Sequence, residues 1–362
     1  MRGYIGIGHS DDIESAVREA TKGLKKADLL ILYAPFSYAE KAADLLAEKY
    51  PHTPMIGTCG ESIAKGSVLN KAITVIGFAG VEVATGLIEQ VRTTPVQSMD
   101  TFQENIEKID AGKDNTICLE FVTGSEERVI STVNTILGEA GIPLIGASCY
   151  GIPLGEKPLV ILDGKVYHNS CAYAFIKNQA GAIRLYKENI YTRSSRRAHM
   201  ATLVEPNTKT LFQLDGIPAV EIYQAETDTL MEDIVSGMPR HPLGRALGDD
   251  TCIIQTVSVD RNGVMFNGKA IHENDSIYIM KLLDYQQVHA DLLNEMQEDS
   301  DHISFLLCFD SINRLRLFAE DWYLTEYAAS MAQLAPSASL LGDGQQFRNQ
   351  HMNQTLLCAA FE

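Results

Sequence analysis

Seven cysteines are spread over 362 residues, and no two of them form a C-x-x-C pair. Zinc ribbons and thioredoxin-type redox sites need that spacing, so both are excluded. Cys59, Cys118, Cys149, Cys171, Cys252, Cys308 and Cys358 are odd in number and mostly sit inside apolar runs, which points to a reduced, cytosolic chain. No apolar run is long enough to span a membrane. The N-terminus lacks a basic segment followed by an apolar one, so neither a signal peptide nor membrane insertion is expected. The nine histidines show no H-E-x-x-H or other tight ligand spacing, and no metal or cofactor is expected. Positive charge is scarce: 30 basic side chains face 47 acidic ones, a formal net charge of −17, which disfavours nucleic acid as a partner. The one basic run, Arg193-Ser194-Ser195-Arg196-Arg197, reads as a solvated turn. Gly3-Tyr4-Ile5-Gly6-Ile7-Gly8 does not complete a dinucleotide fingerprint.

What is present is a full complement of core residues, 45% apolar, enough for two domains. One stretch organises the chain: Pro54-Met55-Ile56-Gly57-Thr58-Cys59-Gly60-Glu61. An apolar run ends in small residues, a second glycine and a carboxylate, as at the ligand-binding end of a buried α/β strand. It recurs as Pro143-Leu144-Ile145-Gly146-Ala147-Ser148-Cys149-Tyr150-Gly151, and more loosely as Leu341-Gly342-Asp343-Gly344-Gln345-Gln346.

The surroundings recur too. Leu29 to Tyr33 and Ile117 to Phe121 are continuous apolar runs, the pattern of strands buried on both faces. Ser37 with Glu40, Thr123 with Glu126, and Asp11 with Glu14 read as capping boxes at helix starts. Strand-like runs follow each Gly loop, over Ala72 to Val91 and Pro158 to Ile176. The expected fold is mixed α/β (α+β): an N-terminal domain over residues 1–205, built from a duplicated β-α-β-β-β unit, packed on a C-terminal α/β domain over residues 206–362. The C-terminal half opens at Leu214-Asp215-Gly216-Ile217-Pro218-Ala219 and carries Asn-Gly hairpin turns at Asn262 and Asn267. Ile303 to Phe309 reads as a further buried strand.

Several of these stretches, in this order, resemble the FIST family, a module of FIST N and FIST C parts. Ile56-Gly57-Thr58-Cys59-Gly60-Glu61 is similar to its Gly-Cys-Ser-Thr-x-Gly-Glu pattern in shortened form. Leu214-Asp215-Gly216-x-Pro218-Ala219, His241-Pro242-Leu243-Gly244, Phe309-Asp310-Ser311-x-x-Arg314 and His351-Met352-Asn353-Gln354-Thr355 resemble segments of its second part. The chain departs from the pattern at Ser311, where the family usually has Cys, at Gln345, where Glu is common, and at Gln255, where Arg is often found. The resemblance implies a bacterial, cytoplasmic sensory module that binds a small ligand, including amino acids, and signals through a partner protein in trans. No F-box segment accompanies it.

The candidate ligand residues are Gly57, Thr58, Cys59, Gly60, Glu61, Ser148, Cys149, Asp215, Ser311, Arg314, Gly342, Gly344 and Asn353. Glycine-rich turns can present backbone amides to an anion. Glu61 and Arg314 together match the ammonium and carboxylate of an amino acid, Arg314 through a bidentate contact. Each also has a structural reading: Glu61 and Asp215 as caps of their own turns, Arg314 as a member of an ion pair. No catalytic residue is assigned. The alternative function is a hydrolase or acyl-transfer enzyme using Cys59 or Cys149, activated by a group such as His168. A pure interaction scaffold is a third reading.

Overall fold

Leu29–Ala34 contains no charged residue, and all six of its side chains are buried. Thr116–Val122 and Phe305–Ser311 are buried along their whole lengths as well. Such strands need cover on both faces, and they receive it in the same way three times. The structure, a computed structural model, describes residues 1–247 and 250–362. It is a mixed α+β fold, and the repeat seen in the sequence occurs in three copies.

Each lobe runs edge strand, helix, central strand, helix, parallel strand, hairpin, returning strand. In the first lobe these are Arg2–Gly8, Ile13–Ala20, Leu29–Ala34, Phe36–Lys49, Met55–Cys59, the Ser62–Ala64/Ser67–Leu69 hairpin and Ile73–Ala79. The second lobe has Val81–Ile88, Met99–Lys108, Thr116–Val122, Glu126–Ala140, Leu144–Ser148, the Val160–Leu162/Lys165–Tyr167 hairpin and Cys171–Asn178. The third has Ile183–Glu188, Tyr285–Asp299, Phe305–Ser311, the helix pair Ile312–Glu320 and Leu324–Leu334, Ser337–Gly342, the Gln345–Phe347/Gln350–Met352 hairpin and Leu356–Phe361.

The hairpins are exchanged in a cycle. The second lobe's hairpin pairs with Met55–Cys59 of the first, the third lobe's with Leu144–Ser148 of the second, and the first lobe's with Ser337–Gly342 of the third. Three six-stranded sheets of identical strand order result. Strands from either side of residue 205 therefore share sheets. The inner faces of the three sheets meet in one core containing Ile31, Ile56, Leu119, Ile145, Leu307 and Leu340. Tyr33, Phe121 and Phe309 occupy equivalent places there, with ring centroids 6.1 Å apart between the first two and again between the last two. The outer face of each sheet is covered by that lobe's own helices.

The third lobe is interrupted after Glu188 by a nine-stranded sheet, from Tyr191–Arg193 to Ser276–Leu282, which carries the helix Ala219–Thr227. This inserted region has its own core around Leu211, Leu214, Tyr223, Ile254 and Ile277. No helix among the described residues is long and apolar enough to cross a membrane.

The capping boxes are not formed as expected. Asp12, not Asp11, caps the first helix by accepting from the Ser15 amide at 2.9 Å. Phe36–Lys49 starts directly from Pro35 with no side-chain cap. Thr123 donates instead to the Ser170 carbonyl, and the cap position of Glu126–Ala140 is Ser125 in the left-handed region, φ 59°. Glu126 is thereby left for another partner.

Candidate ligand site at the second lobe

The exchanged hairpins make four positions directly comparable between lobes, all on the outer, helix-covered face near the C-terminal ends of the parallel strands. The residue opposite the loop glycine on the central strand is Leu32, Glu120 or Cys308 in lobes one, two and three. The residue two places after that glycine or its counterpart is Cys59, Ser148 or Leu341. On the incoming hairpin the strand facing the glycine places Ile161, Gln346 or Ile63. Its hairpin partner is Val166, His351 or Val68. Lobes one and three fill these places with apolar side chains and thiols that belong to their cores. Lobe two fills all four with polar groups.

Three of these groups, Ser148, Gln346 and His351, form a chain of hydrogen bonds with Glu126. The Gln346 Nε2 donates to Ser148 Oγ at 3.0 Å, and Ser148 Oγ donates to Glu126 Oε1 at 2.9 Å. Gln346 Nε2 also lies 3.3 Å from His351 Nδ1, so that ring nitrogen accepts and Nε2 carries the proton. Burial pushes the His351 pKa down to about 4, which keeps the ring neutral. Gly344 is what admits the ring: a Cβ there would stand 2.2 Å from His351 Cε1. Burial works against the Glu126 carboxylate, but the charge of Lys209, its own amide and the Ser148 hydroxyl favour the ionised form, and its pKa lies below the ordinary glutamate value. Beneath the helix start, Glu120 is 1% exposed, and burial lifts its pKa to about 7. Its Oε1 has no hydrogen-bond partner; its Oε2 accepts from Cys171 at 3.4 Å.

The network opens into a cleft of about 690 Å³ between the second lobe and the inserted region. Glu126, Glu127 and Arg128 form one wall, with Gln350 and His351 beside them; Lys209, Arg245 and Lys269 form the other. Lys209 Nζ donates to the Gly268 carbonyl at 2.8 Å, and Arg245 pairs with Asp275 at 3.2 Å. Lys269 is 2% exposed, donates to the His351 carbonyl, and lies 3.9 Å from Glu127 Oε1. Among the described lining residues four side chains are basic and two acidic, and one of the four, Arg245, is already paired with Asp275.

Of the residues singled out in the sequence, Ser148 and Gly344 belong to this network. Asn353 stands beside it: Nδ2 donates to the Asp343 carbonyl at 3.1 Å, and its buried Oδ1 has no partner. The three Gly loops do converge, but their amides are occupied by one another. Tyr150 N donates to Cys59 O, Leu341 N to Glu61 O, and Ser148 N to Gly344 O. Gly57, Gly60 and Gly342 are places where a Cβ would strike Leu32, Tyr33 and Ser148 respectively. Thr58 Oγ1 donates to the Leu159 carbonyl at 2.8 Å. Cys59 and Cys149 are buried neighbours; the hydrogen bond between them lowers the pKa of the first and raises that of the second. His168, named above as a possible activator, places its Nδ1 on the Pro158 carbonyl at 2.7 Å. Ser311 caps the helix Ile312–Glu320. Asp215 accepts from the Met200 amide and contacts Arg197 and His199.

Arg314 does not face Glu61 across a ligand site. It is fully buried in the third lobe, paired with Glu188 and, at 3.0 Å, with Asp310. Burial raises the Asp310 pKa, whereas Arg314 and His289 outweigh burial at Glu188 and keep it ionised. Gln255, at the place where the family often has arginine, accepts from Asn313 Nδ2 at 2.5 Å.

The repeated loops and the terminal His351-x-Asn353-Gln354-Thr355 segment thus lie together in space. A family model described as the FIST N domain matches residues 28–217, more than half of the chain. The chain belongs to the FIST family. FIST domains are sensory domains of signal-transduction proteins. No curated protein matches this chain. The FIST N match covers the first lobe from its central strand onward, the second lobe, the third lobe's edge strand and the start of the inserted region, and so contains Glu126, Ser148 and Lys209 but not Lys269 or His351.

Sequence reasoning missed Glu120, Glu126, Lys209, Arg245, Lys269, Gln346 and His351. A signal existed for part of this set. Aligning the three hairpins places Gln346 and His351 against Ile161 and Val166, and against Ile63 and Val68. The lysines had no such signal, because the inserted region has no counterpart in the other lobes.

Proposed function

We propose that this FIST protein senses a small anionic or zwitterionic metabolite, a carboxylate or amino acid, in the cleft between the second lobe and the inserted region. The observation that carries the reading is the replacement of four apolar core positions by Glu120, Ser148, Gln346 and His351 in the one lobe that adjoins a charged cleft. A buried polar group that the fold does not need costs stability, and a ligand site is where such a cost is retained. Lys209 and Arg128 suit the ligand's carboxylate and Glu126 its ammonium group. The cleft walls come from two separately cored regions, so a bridging ligand favours their closed arrangement and shifts a population that a partner protein reads in trans.

Calorimetric titration with a library of amino acids and carboxylates tests this. A hit should bind at least about tenfold more weakly to Lys209→Ala and to Glu126→Gln, the loss of one charged hydrogen bond. Equal binding by parent and variants, or no binding by any library member, would remove the cleft from consideration and leave the scaffold reading.

A further inference from the structure

The Cys252 side chain is outside the hydrogen-bonded chain of Glu126, Ser148, Gln346 and His351 side chains, yet it is placed for chemistry. Its strand, Asp250–Ile254, and the turn after Met265–Asn267 bring its thiol to 3.3 Å from the ammonium nitrogen of Lys269. Both side chains are only 2% exposed. They converge on one acceptor: the His351 carbonyl takes hydrogen bonds from Cys252 Sγ, at 3.2 Å, and from Lys269 Nζ. The carbonyl fixes the two heteroatoms side by side. Glu127 Oε1 stands 3.9 Å from the same nitrogen, within reach of a released proton. Lys269 lines the 690 Å³ cleft, which is the side from which peroxide would reach the pair.

We propose that Lys269 and Cys252 form an oxidative modification site, in which peroxide joins Nζ to Sγ through a single oxygen atom. The first peroxide converts the thiol to a sulfenic acid, releasing water. The second oxidises the amine–sulfenic acid pair: the S–O bond is kept, an N–O bond forms, and two further waters leave. Overall, R–NH3⁺ and R′–SH with two H2O2 give R–NH–O–S–R′, three H2O and one proton, which Glu127 or solvent accepts. Nitrogen and sulfur each lose two electrons, and the two peroxides gain the four. Two equivalents of a dithiol reverse the change, supplying four electrons and four hydrogens and regenerating amine and thiol with one water. A direct S–N bond would need the two atoms to close further than an inserted oxygen requires.

The other close sulfur contact provides a contrast. Cys308 Sγ lies 3.0 Å from Cys358 Sγ, but both are wholly enclosed in the third lobe, on paired strands away from the cleft. Reach of the oxidant distinguishes the two sites, not proximity alone.

The linkage does not depend on the proposed metabolite; only its effect on binding rests on that reading. Linking Lys269 to Cys252 removes a positive charge from the cleft wall, so the oxidised protein should hold an anion more weakly. The test treats the full chain with hydrogen peroxide at neutral pH and maps peptides by mass spectrometry without reduction. The expected product is a cross-linked pair of peptides containing residues 252 and 269, heavier than their sum by about 14 Da, one oxygen gained and two hydrogens lost. Dithiothreitol should restore both parent peptides. Lys269→Arg should lose the cross-link and carry the sulfenic acid or its further oxides on Cys252. Absence of any 252–269 cross-link in the wild-type chain while Cys252 itself becomes oxidised would overturn the proposal. So would an unmodified Cys252 under conditions that oxidise the Cys308–Cys358 pair. Both overturning results are read on the wild-type protein and do not require the variant to fold.

Discussion

The first and second lobes share strand order, register and helix placement, yet differ in what fills one layer. Around the loop glycine the first lobe packs Leu32, Cys59, Ile161 and Val166; the second packs Glu120, Ser148, Gln346 and His351. The same backbone therefore closes with apolar side chains as well as with polar ones. An unsatisfied buried polar atom costs about 1–3 kcal/mol, and Glu120 Oε1 and Gln346 Oε1 are both unpartnered. Polarity that recurs at none of the equivalent places is what the proposed ligand site accounts for.

The third lobe provides a different contrast, and the largest expected effect. Its buried charges, Arg314, Glu188 and Asp310, answer one another inside the lobe. If they are structural, Arg314→Met should destabilise the protein by about 3–5 kcal/mol, because two buried carboxylates lose their cation. Chemical denaturation of the variant measures this. Full stability together with a lost ligand would instead return Arg314 to the role of anchor.

Next in size is the pH dependence that separates lobe two from lobe one. The Glu120 pKa is raised from 4.5 to about 7 in the folded chain. The native state then holds the proton more tightly than the unfolded state, so stability is greatest below pH 4.5 and falls as pH rises towards 7, by about 3 kcal/mol in total. His351 acts oppositely: its pKa is lowered from 6.5 to about 4, so its penalty is absent above pH 6.5 and grows as pH falls towards 4. Replacing Glu120 by the first lobe's residue, Glu120→Leu, should raise stability at pH 8 and remove the decline between pH 4.5 and 7. Denaturation midpoints across that range check it; an unchanged pH profile would mean that Glu120 is not held protonated.

Much of this architecture can be read in the chain. The buried runs at Leu29 and Ile117, the Gly loops and their spacing identify two lobes, because continuous apolar strands and close backbone approaches leave a local pattern. The third lobe is obscured by the insertion between Glu188 and Tyr285, which separates its edge strand from the rest. Hairpin exchange leaves no local trace either, since Ser62–Ala64 looks the same whether it pairs within its lobe or with Ser337–Gly342. At the site, Ser148 and Gly344 are legible from the loops. Glu126 is hidden by its resemblance to a capping residue, and the left-handed Ser125 that frees it from that duty has no sequence signature. Arg314 misleads for the opposite reason: an arginine near a loop motif suggests a ligand, while its partner Glu188 is 126 positions away.

The most direct test of the central claim gives the second lobe the first lobe's residues at two of the four positions, Gln346→Ile with His351→Val. The fold is predicted to accept both, with a denaturation midpoint equal to or above that of the parent, because the equivalent pair Ile161 and Val166 packs the same layer. Binding of any ligand found by calorimetry is predicted to be lost. A variant that is folded and still binds with parental affinity would contradict the account, and so would one that fails to fold, since the polar pair would then be serving the structure.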